Sequence, residues 1–593
     1  MRTPSERAQL ISKITIGILF SLWACLFIFH SSHIGVDGNR YFALFDDAYI
    51  SMRYAWNLSH GHGLVWNIGE QIEGYTNLLM TLYMSLVTTV FNKRLSALVI
   101  QISGAVFMLG TAQVVSMIMG LLSQNSPQKT RASLSIAAYA FSLAYYPLLF
   151  WSLMGMETGL LTLLISIAYY FMLSFMKQGS NTDLWLGSAF FSLASITRPD
   201  AILFAVPVFL YLFLVNVKAR NGAGIQQLFF AGLIVILLPS AQLLFRWQYY
   251  GVLVPNTYTL KVAGIPIDIR LRSGLTFIKP FLKSMVWMIG LMVVGISSRE
   301  RRFERVLFFS FLILLAYQIW VGGEPWFYWR LLSPAIPLCT VLCLMGAERI
   351  LSWPLARLRE RPSVTTGGFI LGGVLILIAL AADRFGGYPG FGFLEMSIIQ
   401  FGLILIMLSG YVTYSRTRVN TSRLASSLAI VFTGLTFFIA NHTFLPEYVF
   451  QRPAYTTTEH ASTVDYAIII SEVVHEDASI GVAWAGAIPY YTGLYSVDFL
   501  GKTDPYIANL PPEIGDDALH WGGMLTVPGH NKYDLQYSIG VRQPTILHVV
   551  RWGSQDLSDW VEDHYERVSY RDFVVYALRD SEQIDWAKLL GGS

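Results

Sequence analysis

The chain has 593 residues, 54% of them hydrophobic and only 13% charged. A soluble domain carries about 25% charged residues, and the mean hydropathy here is +0.50. These values exclude an ordinary soluble enzyme and point to a polytopic membrane protein. The net charge of +3 argues neither for nor against nucleic acid, because no basic cluster stands outside the short inter-helix loops, and no nucleic-acid partner is expected.

In chain order, residues 11–30 form the first apolar run. Arg2, Arg7 and Lys13 flank it. The run is too long for the apolar region of a signal peptide and lacks a small-residue cleavage site, so it predicts a first transmembrane helix with a cytoplasmic N-terminus. A span needs about 20 apolar residues. Further runs lie at 97–122, 133–151, 158–176, 184–196, 201–217, 226–245, 274–297, 305–321, 333–347, 367–383, 397–414 and 424–440, which makes thirteen candidates, several of them short. Cys25, Cys339 and Cys343 all sit inside such runs and read as small core residues, not as a disulfide framework or metal site.

The basic loops are 128–131, Lys177, 218–220, 299–305, 349–361 and 416–423. With the N-terminus inside, all fall on the cytoplasmic side, as the positive-inside rule requires. This holds only if residues 76–91 do not span, so that stretch is expected to lie in the outer interface. The non-cytoplasmic side then gathers a long first loop (31–96), Glu157, the turn Arg198-Pro199-Asp200, residues 245–274, residues 322–330 and everything after residue 440. Ionisable residues at membrane depth are costly and usually line a cavity or path.

The tail from Asn441 holds 21 of the 38 acidic residues and no run long enough to span. Residues 479–484, 544–550 and 565–578 read as short strands with helical stretches between. The expected architecture is an all-α polytopic membrane domain over 1–440, with about 11–13 transmembrane helices, followed by a non-cytoplasmic α/β domain over 441–593.

The first loop opens on Asp46-Asp47, soon followed by Arg53. Adjacent carboxylates raise each other's pKa unless cations or a metal relieve them. N-capping of the helix predicted over 48–58 accounts for one of them, not both. Arg53 lies on nearly another face of that helix and suits an anion or another partner.

The elements Asp46-Asp47, Arg53-Tyr54-Ala55, Gly61-His62-Gly63-Leu64-Val65-Trp66-Asn67 and Glu73-Gly74-Tyr75-Thr76-Asn77 resemble the GT-C membrane glycosyltransferases. Within that class the resemblance is to the actinobacterial arabinofuranosyltransferases that add terminal arabinose to cell-wall arabinan. Similar elements continue in Arg198-Pro199-Asp200, Tyr249-Tyr250-Gly251, Pro255-Asn256-Thr257, Lys261, Gly322-Gly323-Glu324, Arg330, Gly501-Lys502-Thr503-Asp504 and Pro528-Gly529-His530-Asn531-Lys532.

The resemblance implies a sugar donor carried on a polyprenyl phosphate, a glycan or protein acceptor such as a pilin, and chemistry on the outer face of a bacterial inner membrane. The sugar it implies is D-arabinofuranose; a mannosyl- or aminoarabinose-type transferase of the same class is the runner-up. A carboxylate then acts as base on the acceptor hydroxyl, which inverts the anomeric centre, or attacks directly, which retains it. Asp46 or Asp47 is the candidate. Arg53, Arg198 and Arg330 suit the donor phosphate, because a guanidinium pairs oxygens bidentately, and Lys261 suits it as a point charge.

Glu73, Tyr75, Asn77, Glu157, His530 and Lys532 are candidates for contact with sugar or acceptor. Several of the candidates have a plainer account: a snorkelling interface arginine for Arg330, a local pair with Asp200 for Arg198, a helix cap for Asn77 or Glu157, and surface loop residues for His530 and Lys532. Arg246 beside Trp247 reads as an interface anchor. A divalent cation at Asp46 and Asp47 is left open; His60 and His62 have the spacing to join it, but a turn explains them more simply. A lipid-linked sugar flippase is the rival from another class. Transporters place charge at mid-membrane in repeated halves, whereas here the charge gathers at one face and no repeat is visible.

Overall fold

The structure is a computed structural model and describes residues 4–297, 302–352, 362–385, 393–415, 422–515 and 518–591. The basic loops at 299–305, 349–361 and 416–423 fall partly outside these residues.

The chain enters through α1 (Pro4–Ser31), whose 28 residues are ample for a bilayer. A small hairpin, β1 (His33–Ile34) with β2 (Arg40–Tyr41), precedes α2 (Asp46–Ser59) and α3 (Leu78–Val90). At 13 residues, α3 rises only about 20 Å and is too short to cross. Next come α4 (Lys93–Leu122), α5 (Gln128–Ser142), α6 (Tyr146–Leu153), α7 (Thr158–Gln178) and α8 (Asn181–Thr197). After a 3-10 turn at Pro199–Phe204 follow α9 (Ala205–Lys218), α10 (Gly222–Tyr250), α11 (Asn256–Val262), α12 (Ile267–Ile296), α13 (Arg302–Val321) and α14 (Ile336–Ser352). Helices Pro362–Phe385, Phe393–Ser415 and Ser422–Asn441 complete the bundle.

Among the described residues, ten helices are long and apolar enough to cross a membrane. The number is eleven if α5 and α6, bent 56° at their break, count as one span. The run expected at 133–151 is that broken pair. The run at 184–196 lies within α8, which has 17 residues.

Helices in lipid pack through small residues, because the hydrophobic effect does not drive them together. The α12–α14 contact shows this. A Cβ at Gly346 would stand 1.9 Å from the Leu291 carbonyl oxygen, and one at Gly295 would stand 2.7 Å from that of Leu342. Cys339 and Cys343 are buried in the same α14 core as free thiols, while Cys25 is a free, exposed thiol on α1.

The tail forms a five-stranded mixed sheet in the order β4-β3-β5-β9-β8. Its strands are β3 (Ser479–Val482), β4 (Tyr495–Asp498), β5 (Ile546–Leu547), β8 (Tyr565–Tyr570) and β9 (Phe573–Leu578); β6 (Arg551–Trp552) and β7 (Gln555–Asp556) make a separate hairpin. Strands β4 and β5 both run parallel to β3, and β9 is antiparallel to β5 and β8. Within the five-stranded sheet, β4, four residues long, is the strand that the sequence pattern does not reveal.

Alternation along the chain sorts the loops. Those after α1, α6, α8, α10 and α13 lie at one end, and the tail domain docks on them. The basic residues Lys129, Arg131, Lys177, Lys218 and Arg220 lie at the other end.

The docking is dense in polar contacts. Trp66 Nε1 donates to the Ala485 carbonyl at 3.2 Å. Asn67 exchanges two hydrogen bonds with the backbone of Ser496, at 2.9 and 3.1 Å. Tyr495 donates to Glu70 at 2.6 Å.

Candidate active site

A cavity of about 400 Å³ opens where the first loop, the ends of α8, α10 and α13, helix α11 and the tail domain meet. Its charged lining comprises Asp47, Glu157, Arg198, Asp200, Arg246, Lys261, Arg330 and Lys502. Leu253, Val254 and Tyr258 belong to the same wall and are exposed on its outer side. Such a site presents cations inside and an apolar lip outside.

The two neighbouring aspartates go to different places. Asp47 enters the cavity. Its Oδ1 accepts from Lys502 Nζ at 3.0 Å, and its Oδ2 accepts from Arg330 Nη1 at 3.2 Å and Trp326 Nε1 at 3.3 Å. Burial alone would raise its pKa, but Lys502 and Arg330 outweigh burial and hold the carboxyl well below the usual carboxylate range. Asp46 is buried and does not line the cavity. Its oxygens accept from the backbone N–H groups of Gly486 at 3.1 Å and Ala487 at 2.9 Å, the first turn of the short helix Ala487–Thr492.

So Asp46 caps a helix of the tail domain, not its own. The approach is close: a Cβ at Gly486 would stand 2.0 Å from the Asp46 carbonyl oxygen. Burial raises the Asp46 pKa to about 6, against the two N–H donors that favour its ionised form.

This geometry bears on a divalent cation. The carboxylates of Asp46 and Asp47 do not converge, and each already has its own donors. Among the described residues, no group of three or more His, Cys, Asp or Glu side chains is set to hold a metal. His60 stacks on Trp56 at 4.0 Å.

The cations differ in how far they are neutralised. Arg198 Nη1 donates to Glu157 at 2.6 Å and its Nε to Asp200 at 2.9 Å. Those carboxylates outweigh burial and raise its pKa. Glu157 also accepts from Asn77 Nδ2 at 3.1 Å, and Asn77 accepts from Ser51 Oγ at 2.9 Å. Asn77 and Glu157 therefore extend a polar network along the wall, and the Asn77 side chain makes no helix-capping hydrogen bond.

Arg330 bridges Asp47 and the fully buried Glu324. Arg246 pairs with Glu73, so it is a buried member of the cavity wall and not an interface anchor. Glu73 holds Arg246 from behind, outside the lining. Lys261 is set apart from these: its Nζ makes no ion pair among the described residues, and burial lowers its pKa.

Tyr75 and His530 also line the cavity, and the Tyr75 hydroxyl accepts from Tyr250 at 3.2 Å. Besides Asp46 and Glu73, two more expected residues do not reach it, Arg53 and Lys532. Arg53, placed on the donor phosphate by the sequence reading, is buried at the junction with the tail domain. Its guanidinium donates to the carbonyls of Trp66 at 2.6 Å, Leu494 at 2.7 Å and Pro489, and to Asn67 Oδ1 at 3.1 Å. Lys532 donates to the carbonyls of Ala508 at 2.9 Å and Thr259 at 3.3 Å, which ties α11 to the tail domain.

Sequence reasoning gave no site role to Lys502, Trp326 or Glu324, and it took Arg246 for an interface anchor. Lys502 stood within a quoted motif, but nothing in the spacing announced a reach of 455 positions back to Asp47.

Residues 453–584 match a family described as a domain of unknown function, DUF8728. Two curated relatives are terminal beta-(1->2)-arabinofuranosyltransferases. The one from Mycobacterium tuberculosis is 28% identical over 232 residues, 37% of this chain and 35% of the relative. The one from Corynebacterium glutamicum is 27% identical over 240 residues, 37% of this chain and 33% of the relative. The chain thus spans about a third of the length of these relatives. Among solved structures, ArnT from Cupriavidus metallidurans bound to undecaprenyl phosphate aligns with a TM-score of 0.48 at 14% identity, covering 81% of this chain and 85% of that one. The arabinosyltransferase EmbB from Mycobacterium smegmatis aligns at 0.37 and 13%, covering 79% and 44%. At these TM-scores the structural likeness is too loose to carry an argument. Over the stretch that the sequence matches cover, this chain is similar to terminal arabinofuranosyltransferases.

Proposed function

We propose that this protein is a GT-C membrane glycosyltransferase. It moves an arabinofuranosyl-type sugar from a polyprenyl phosphate to a hydroxyl of a cell-surface glycan, on the non-cytoplasmic side. One observation carries the reading: a carboxylate, Asp47, faces a cavity of about 400 Å³ whose wall also carries Arg198, Arg246, Lys261, Arg330 and Lys502. A lipid-linked sugar phosphate needs that combination, with cations for the phosphate and an anion for the sugar carbon.

Of the cations on this wall, Lys261 is the one without an ion pair among the described residues, and it takes the donor phosphate. The fork of Arg198, oriented by Glu157 and Asp200, assists it. The exposed Leu253, Val254 and Tyr258 on the same wall meet the polyprenyl chain. Asp47 stands where positive charge grows on C1 as the sugar–phosphate bond lengthens, and its fixed donors preorganise it there. The sequence similarity to arabinofuranosyltransferases supports the sugar class. The basic residues at the far end of the bundle support an outward-facing cavity.

The test is transfer of radiolabel from polyprenyl-phosphoryl arabinose to acceptor in membranes holding wild type, Asp47→Asn or Asp46→Asn at matched protein levels. Loss of transfer in Asp47→Asn is expected. Full transfer by both variants removes the aspartates from the chemistry, and sugar translocation without transfer replaces the enzyme with a flippase.

A further inference from the structure

Transfer leaves a proton to be placed. The bond from C1 to the phosphate oxygen breaks, with its electron pair leaving on the phosphate. A bond from C1 to the acceptor oxygen forms, and the acceptor hydroxyl gives up its proton to a group in the cavity. Asp47 is badly suited to receive it. Both of its oxygens already accept hydrogen bonds from Lys502, Arg330 and Trp326, and a carboxylate so strongly stabilised is a weak base.

His530 lines the same cavity. Its Nδ1 lies 3.2 Å from the Pro528 carbonyl oxygen, which places the ring proton on Nδ1 and leaves the Nε2 lone pair free. Nε2 is buried and has no hydrogen-bond partner among the described residues, which a buried polar atom rarely tolerates without a ligand to serve. Aromatic rings fix the imidazole plane: Trp326 and Trp521 at 5.6 Å between centroids, Trp484 at 6.0 Å and Trp552 at 6.4 Å. The Trp552 indole also donates to the His530 carbonyl at 3.3 Å. Such a ring is held ready for one hydrogen bond in one direction.

We propose that Nε2 of His530 is the base that takes the acceptor hydroxyl's proton, while Asp47 stabilises the sugar carbon. This rests on the glycosyltransferase reading above. The surrounding charges suit a base that is strengthened by the donor. Burial, then Lys502, push the imidazole down to about 3, with Lys261 acting in the same direction and Asp47 and the Pro528 carbonyl against it. A donor phosphate on Lys261 brings an anion to that side and moves the ring upward, so the base gains strength once the donor is seated.

The experiment uses the purified full-length chain in lipid nanodiscs, with polyprenyl-phosphoryl arabinose and a synthetic arabinofuranoside acceptor. In His530→Ala, kcat is expected to fall by about 100-fold or more, while the donor Kd stays within about twofold. Added imidazole is expected to restore the rate, and methylimidazoles of higher pKa to restore it further. A kcat within about threefold of wild type overturns the assignment. So does a loss that no imidazole relieves in a variant with an unchanged Tm. Should His530→Ala fail to fold, His530→Gln decides: it keeps an acceptor atom without basicity, and wild-type kcat in it overturns the assignment. If the wild type itself transfers no sugar from that donor, the glycosyltransferase reading falls first, and the base assignment with it.

Discussion

The junction between α2 and the tail domain and the cavity beside it are built from the same first loop, yet they treat polar groups in opposite ways. At the junction, every donor of note meets a backbone partner. Arg53 satisfies three carbonyls and Asn67, and Asp46 satisfies two N–H groups. In the cavity, charges meet charges, and among the described residues some atoms are left over: Lys261 without an ion pair, and His530 Nε2 and Thr257 Oγ1 without a hydrogen bond. Satisfied buried polar groups hold a structure together, whereas unsatisfied ones mark where a ligand completes the pairing. The contrast separates residues that assemble the site from residues that act in it.

The comparison breaks most easily at Asp47. Asp47→Asn removes the anion that faces C1 and is expected to lower transfer by about 1,000-fold, in line with the loss of a preorganised electrostatic group. The folded fraction on size-exclusion chromatography should hold. Activity that survives in Asp47→Asn would place the chemistry elsewhere in the cavity.

Arg53 tests the other side. Arg53→Ala removes the charged donor from the carbonyls of Trp66, Pro489 and Leu494, which keep Asn57 Nδ2, the Gly493 N–H and Ser496 Oγ as their remaining donors. Hydrogen bonds from a charged group are worth about 1.5–3 kcal/mol, so a loss near 3 kcal/mol is expected. It should read as a lower thermal midpoint, with the donor Kd of the folded fraction unchanged. Weakened donor binding at unchanged stability would return Arg53 to the phosphate.

Asp46 sharpens the comparison through pH. Its folded-state pKa is raised to about 6, above the roughly 3.9 of an unfolded aspartate. The folded protein therefore binds this proton more tightly than the unfolded chain. The stability it contributes is present below about pH 4 and is lost as pH rises through about 6. A shift of that size corresponds to about 3 kcal/mol at most. Midpoints of wild type and Asp46→Asn measured across pH 4–7 should differ in slope, with the wild type losing stability toward pH 7 relative to the variant. Parallel curves would show that Asp46 does not titrate in this range.

Lys261 gives the smallest effect. Lys261→Ala removes one charged contact to the donor phosphate, worth about 1.5–3 kcal/mol, so the donor Kd should weaken by about 10- to 100-fold. With no ion pair to lose, the thermal midpoint should not fall. Unchanged donor affinity would move the phosphate toward Arg198.

The sequence by itself determined the membrane character, the approximate spans and the crowding of charge in the first loop. Scarce charge in long apolar runs has few other outcomes in water or lipid, and a doublet such as Asp46-Asp47 stands out against that background. It also marked Arg198, Lys261, Arg330 and His530, which the fold brings to one cavity. Which partners they meet there depends on the fold, as when Arg330 reaches Asp47 across 283 positions. One step along α2 turns a side chain by about 100°, enough to aim Asp46 at a helix of the tail domain and Asp47 at Lys502. Arg53, Arg246 and Lys532 show the same limit, because a buried cation takes its role from whichever acceptor the fold carries to it. Only tertiary structure decides that pairing: electrostatic interaction falls with distance through space, and distance along the chain does not enter it.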